Sequence, residues 1–487
     1  MAAAKASQLF PNPSLAPSST SPHILPGVNP TSTKTLKSVL EDNHKKHHIF
    51  FNEKRFHNHI AHRALAVWAL GADGDIIQAG YETDSSYQRP AFESPEPITR
   101  DNFNEHLGDE RFYDAYLKFF TSQLDQKSVS DILEEFVFAS AVNFGSKSNA
   151  GKHPEMLNRF LDGLVHPLIH TGYGVEFSIP GLVAEGLAET AVHLASSSAV
   201  LPPAAFTSDP VPSVGSLTSR LHSFAFRTKE TADGKSSSPH AFTTLARFLA
   251  DETIKPVREE EQDMYATALE QSGDAIYKHV SEWATFDPSD PEVVKRKVEE
   301  LQWTNALLYA VSGFQAADDK SFKADFFMMH LVTSSLFLPS LIALLSPSSQ
   351  LVLLRGYFAS CLGWYVSRGK ASLDIEAFFA ADTSHPELEA PGKPSPNALI
   401  SSSNPNPWLA IINQAINHKD DHLPKIQRAL GHYSTLYGSR TAGGDEFSST
   451  ELKGADKIDG TLFIRAAGLT TKRVGGDHGP DDRDWDF

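Results

Sequence analysis

VKRKVEELQWTNALLYAV, residues 294–311, carries apolar side chains at three- and four-residue spacing (Val294, Val298, Leu301), the period of a helix with one buried face. The same spacing recurs over residues 107–124, 129–142 and 182–194, and residues 63–70 read as a further helix. Asp101 and Ser130 stand where helix caps are expected, ahead of Asn104 and Leu133. Alternating strand patterns are scarce. TLFIRA, residues 461–466, is the best strand candidate and is isolated near the end. The pattern predicts an all-α protein.

Loops rich in Ser, Pro and Gly separate the helices, chiefly over residues 196–216, 228–239 and 383–407. Histidines of interest fall on both sides of the first two, so one large helical domain over 34–487 is expected rather than two. Residues 1–33 are rich in Ser, Pro and Ala, have no apolar stretch of the signal-peptide kind, and read as a disordered arm. Two apolar runs, 326–345 and 351–366, are interrupted by polar residues or too short for a spanning helix, and read as buried core helices. No membrane partner and a cytoplasmic location are expected.

The chain has 487 residues and a formal net charge of −17, which disfavours nucleic acid as a partner. Its single cysteine, Cys361, excludes an intrachain disulfide and any Cys-based zinc or iron–sulfur site. Histidine is the anomaly. There are 21, and His44, His47, His48, His57, His59 and His62 crowd one short stretch. In an acidic, cysteine-poor chain this points to a metal held by imidazole.

Three clusters carry the argument. His59 and His62 are three residues apart, hence neighbours on one helical face. His166 and His170 have the i, i+4 spacing that lets two imidazoles reach one ion, with Pro167 where a zinc protease would carry its Glu base, so a kink between the two histidines is expected. His330 lies in an apolar helix, and three helices with inward histidines are what a bundle-type metal site requires. A fourth string, Asn417-His418-Lys419-Asp420-Asp421-His422, reads as a charged helix start. His57, His106, His193 and the pairs near His47 and His422 read as incidental. Neither a nucleotide loop nor a dinucleotide fingerprint nor a nucleophile elbow is present.

Blocks of this chain resemble the questin oxidase-like family of fungal polyketide pathways. They are Asn43-His44, His48-Ile49-Phe50-Phe51-Asn52, His57-Asn58-His59-Ile60-Ala61-His62, the stretch from His166-Pro167 to Glu176-Phe177, Asp325 to Thr333, Leu354-Arg355-Gly356-Tyr357, Tyr365 to Lys370, and Trp485-Asp486-Phe487. The resemblance runs from about residue 36 onward. It implies oxidative cleavage of an anthraquinone ring, or oxygen insertion of Baeyer–Villiger type, with O2 and with NADPH as reductant. It also implies a non-haem Fe(II) held by four histidines and a carboxylated lysine. Carried over, His59, His62, His166, His170 and His330 are five candidates for four places, and Lys370 is the candidate lysine.

The main expectation is an iron-dependent oxygenase of a flat aromatic polyketide, with one iron per chain and with a partner reductase or a homo-oligomer as further expectations. The rivals are an NADPH-driven Baeyer–Villiger monooxygenase without a metal, a metal-dependent hydrolase using the His418–His422 string, and a non-catalytic helical carrier.

Overall fold

A computed structural model describes residues 8–145, 151–206, 238–257, 263–315, 322–388, 396, 397, 399, 404–475 and 485–487. Its main helices are α1 (Pro30–Lys46), α2 (Ile60–Ala69), α3 (Tyr113–Leu124), α4 (Asp162–Glu176), α5 (Pro180–Val192), α6 (Ala241–Ala250), α7 (Met264–Trp283), α8 (Pro291–Gly313), α9 (Phe326–Ser335), α10 (Pro347–Ser367), α11 (Leu423–Tyr437) and α12 (Thr461–Val474). Only isolated bridges, and no sheet, occur among the described residues. The all-α expectation holds.

Local chemistry sets the helix starts. Asn29 and Ser32 form a reciprocal capping box at α1. Asp290 accepts from the first free amides of α8, with Pro291 opening the helix where its missing N–H is no loss. Asp325 caps α9 through Phe327 and Met328. Over 129–142 the expected single helix is three short pieces with a π turn at Glu134–Phe138, and Ser128 rather than Ser130 is its cap. Asp101 lies in a turn and caps no helix.

The apolar faces converge on one core in which Trp283, Trp303, Tyr309 and Tyr357 are fully buried. Buried hydroxyls need partners, and here these partners tie helices together. Tyr357 donates to Leu331 O at 2.9 Å, Tyr433 to Val332 O at 2.9 Å, and the Tyr309 and Thr470 hydroxyls meet at 2.8 Å. α9 is thereby clamped between α10 and α11. The runs 326–345 and 351–366 are buried helices, and among the described residues no helix is long and apolar enough to cross a membrane.

Two expectations fail. Residues 461–466 open α12 instead of forming a strand: Leu462, Phe463, Ala466 and Ala467 are all buried, so the run has no alternating face, and short apolar runs are ambiguous between the two states. Residues 8–33 are not a disordered arm. Phe10 is buried beside Gly181, Ser14 N–H donates to Phe177 O, the Ser21 and Ser340 hydroxyls meet at 2.7 Å, and Leu25 N–H donates to Ala69 O. A few anchors outweigh a polar composition. Of the long loops, residues 207–237 and most of 389–403 lie outside the described residues.

Candidate metal centre

The approach to α2 is a tight excursion that aims three histidines inward. Phe50 bridges to His57, and Asn58 N–H donates to Ile49 O at 2.7 Å. Asn58 then fixes the helix start: its side-chain Nδ2 donates to Asn43 Oδ1 at 2.8 Å while its Oδ1 accepts from Ile60 N–H. His59 and His62 are left on the face turned towards α4, with His62 stacked on Tyr173 at 5.1 Å.

In α4 the break falls before both histidines, not between them. Gly163, Leu164 and Val165 are left-handed, with φ of 53°, 57° and 57°, and Pro167 sits in the first turn of the helix that resumes. Left-handed geometry at a branched residue costs on the order of 1–3 kcal/mol and persists only where packing enforces it; Val165 is fully buried. The turn brings Gly163 O to 2.7 Å from His166 Nδ1. Glycines then let α4 and α5 approach. A methyl on Gly186 would meet Thr171 N at 2.6 Å, and one on Gly174 would meet Val183 N at 2.6 Å. This closeness sets Glu185 of α5 against His170, whose Nε2 donates to it at 2.8 Å.

His59, His166, His330 and His422 form a closed quadrilateral. Their ring centres are 5.0 Å (His59–His166), 4.9 Å (His166–His330), 5.1 Å (His330–His422) and 4.7 Å (His422–His59) apart. Each comes from a different element: the entry to α2, α4, α9 and the start of α11. Imidazole nitrogens about 2.1 Å from an ion put neighbouring ring centres about 4.5–5.2 Å apart for angles between a right angle and a tetrahedral one. The observed sides fit.

The hydrogen bonds decide which nitrogens face the centre. His59 Nδ1 donates to Asp421 Oδ2 at 2.7 Å, His166 Nδ1 to Gly163 O, and His330 Nδ1 to Phe326 O at 2.7 Å. The neutral form of each ring then carries a bare lone pair on Nε2. His59 Nε2 and His166 Nε2 nevertheless lie 2.9 Å apart, and the Nε2 atoms of His330 and His422 have no partner. Two acceptors at that distance need a cation between them. Burial first, and then neighbouring charged groups, push His166 and His330 well below their ordinary pKa and His59 to about 3, so a shared proton is disfavoured. His422 is the exception: Asp421 pushes it up against the effect of burial. This donor set suits a transition metal, with the anchoring of each distal nitrogen that metal-bound histidines require.

Of the six residues named from sequence, His59, His166 and His330 meet in this ring. His62 and His170 form an adjacent pair, Nε2 to Nδ1 at 3.0 Å. Lys370 does not join them. Its ammonium donates to Asp251 O and Ile254 O at 3.2 and 3.1 Å and lies over Phe248 of α6. A carbamate there would set anionic oxygens against two carbonyls. The buried lysine at the ring is Lys425, which donates to Asp421 at 3.3 Å. His422 and Asp421 belong to the string that the sequence reading offers only to the hydrolase alternative, His57 and His193 read there as incidental, and Lys425 and Glu189 are in none of its candidate sites. Two carboxylates one turn apart in the otherwise apolar α5 were the signal for Glu189.

A cavity of about 470 Å³ lies against α9, with Met264, Met328, Tyr365, Arg368 and Phe487 among its lining residues and none of the four ring histidines in its wall. Phe487 stacks on Phe326 at 4.6 Å, and Phe326 sets its edge against His330 at 4.6 Å and against His422 at 4.8 Å.

The family model described as questin oxidase-like matches residues 56–430, most of the chain, and spans the whole histidine ring. The chain belongs to the questin oxidase-like family. It is 24% identical over 408 residues to a questin oxidase of Aspergillus terreus, covering 80% of this chain and 78% of that one. It is 27% identical over 421 residues to a Baeyer-Villiger oxidase of Pestalotiopsis microspora, covering 84% and 82%. It is 28% identical over 455 residues to a Baeyer-Villiger oxidase of Emericella nidulans, covering 90% and 87%. As a questin oxidase-like protein it is an oxidoreductase, and the family resemblance read from the sequence holds.

Proposed function

We propose that this protein is a non-haem iron-dependent oxygenase of fungal secondary metabolism that acts on an anthraquinone-type aromatic polyketide. The observation that carries the reading is the 2.9 Å approach of two imidazole nitrogens whose partner nitrogens are both committed as donors. His59, His166, His330 and His422 would hold the ion. Iron(II), when bound there, would supply activation of O2.

The chain's own residues do the rest. Asp421, Gly163 O and Phe326 O hold their rings in the ligating tautomer. Lys425 offsets the charge of Asp421, so that the carboxylate can remain ionised while orienting two rings. The cavity against α9, whose volume is in the range of small-molecule sites, would take the flat polycyclic substrate. Phe487 offers it an aromatic face and stacks on Phe326, which packs against His330 and His422, while Arg368 and Lys323 place donors for quinone or phenol oxygens.

The relatives named Baeyer-Villiger oxidases favour a second reading, insertion of a single oxygen, for which the family resemblance implies NADPH as reductant. One experiment separates the two. Protein loaded anaerobically with Fe(II) is mixed with O2 and a panel of anthraquinones, with and without NADPH, and product masses are measured. A gain of two oxygen atoms without NADPH supports iron-dependent dioxygenation. A gain of one oxygen atom only with NADPH, in protein free of metal, overturns it.

A further inference from the structure

We propose that His57, His193 and Glu189 form a second cation site, built for a divalent transition-metal ion and distinct from the four-histidine ring. The Nε2 atoms of His57 and His193 face each other at 2.8 Å, with the rings inclined by 17°. Glu189 Oε1 lies 3.5 Å from His57 Nε2, and the three ligating atoms all fall within 4.8 Å of one another. The residues come from two separate elements, the turn before α2 and the end of α5.

Glu189 supplies the independent observation. It is 1% exposed, and neither of its carboxylate oxygens has a hydrogen-bond partner. The groups facing it are the imidazoles of His57 and, at 4.0 Å, His170, with Glu185 one turn away on the same helix; the ion pairs of Glu189 include no lysine or arginine. A buried carboxylate without a counter-charge is costly, and Glu189 is in that position, whereas Glu185 is met by His44 at 2.6 Å and His170 at 2.8 Å. An ion bound between His57 and His193 provides that charge. Two imidazoles and one carboxylate are a donor set that holds a divalent first-row metal and leaves positions for other ligands.

The surroundings are shaped to the pair. Gly163 packs directly against the His193 ring, and a methyl there would also stand 3.1 Å from His57 Nε2, at a φ of 53° that a side chain resists. Asp162 Oδ2 faces His193 Nδ1 at 3.5 Å. Behind the pair, His57 stacks on His166 at 3.8 Å, so one imidazole thickness separates this site from the ring of four. The two sites share no ligand.

The test is metal content together with anomalous diffraction from crystals of the full-length protein loaded anaerobically with Fe(II). Two ions per chain are expected, with one peak at His57, His193 and Glu189. Glu189→Gln, which keeps the shape of the side chain, and His193→Ala each lower the count by one and remove that peak, while His330→Ala removes the other. A single ion lost in Glu189→Gln but kept in His330→Ala supports this site and overturns the ring of four as the metal centre. A wild-type crystal with no peak between His57 and His193 overturns the proposal, whatever the variants do.

Discussion

His59 Nδ1 lies 2.7 Å from one oxygen of Asp421, and the other oxygen of the same carboxylate lies 3.1 Å from His422 Nδ1. One side chain therefore orients two rings of the quadrilateral. Replacing such an anchor typically costs 10- to 100-fold in metal affinity. Asp421→Asn is expected to weaken Fe(II) binding by that factor, read by competition with a chelator, while its helical circular dichroism is unchanged. Unaltered affinity would show that the rings hold their tautomers without it.

The ring also predicts a contrast between two other positions. His330→Ala removes an Nε2 that has no other partner, so iron at the ring and oxygenase activity should both be lost with the helical spectrum retained. Lys370→Met, whose ammonium is spent on two carbonyls, should keep its metal. Loss of metal in Lys370→Met would restore that lysine as a ligand.

Burial holds His48 and His432 at about 4, well below the ordinary value for histidine. The unfolded chain binds these protons below about pH 6.5, whereas the folded chain binds them only near 4. Stability contributed by the two is therefore complete above the unfolded value and is lost as pH falls from about 6.5 to 4, on the order of 3 kcal/mol for each. The urea midpoint of metal-free protein should fall across this window. His432→Gln should flatten the slope, and a slope that it leaves unchanged would remove His432 from the account.

The α4–α5 contact leaves no room for a methyl group at Gly186, which would meet Thr171 N at 2.6 Å and Thr171 Cα at 3.0 Å. Backbone cannot step aside as a flexible side chain can. Gly186→Ala should cost about 1–3 kcal/mol despite the better helix propensity of alanine. Thermal melting checks this, and a raised melting temperature would mean that the helices separate freely.

Arg428 and Glu176 form a buried pair beneath the site, with Arg428 also lying over the Phe177 ring at 5.2 Å. Removing one partner strands a charge, so Glu176→Leu should destabilise the fold by about 3–5 kcal/mol. The double variant Glu176→Leu with Arg428→Met should recover part of that loss. A loss in the double variant equal to the sum of the two single losses, with Arg428→Met measured alone, would mean that the pair is not coupled.

How much of the molecule is legible in its sequence depends on distance along the chain. The helical class and the pairs His59–His62 and His166–His170 follow from spacing within one helix, which periodicity reports directly. His57 and His193 owe their meeting to a turn before α2 and to the close packing of α5 on α4, and no local pattern encodes either. His422 reads as part of a charged helix start because Asp420 does cap that helix, accepting from His422 and Leu423 N–H. One carboxylate caps the helix while its neighbour orients the rings, and the sequence shows only the first role. Lys370 follows from analogy of motif, and the fold turns its ammonium towards α6.

The quadrilateral draws on chain positions 59 and 422, far apart in the sequence although adjacent in the fold. At ordinary synthesis rates roughly 20–70 s separate the emergence of such residues from a ribosome. If the ring holds a metal as proposed, during that interval the early histidines would meet ions without the geometry that prefers one metal over another. Selectivity can begin only when α11 docks and brings His422 and Asp421 against His59. Metal identity would then be decided after translation, by the ions present when the last corner closes, and protein made under different metal supply should carry different ions on an identical fold.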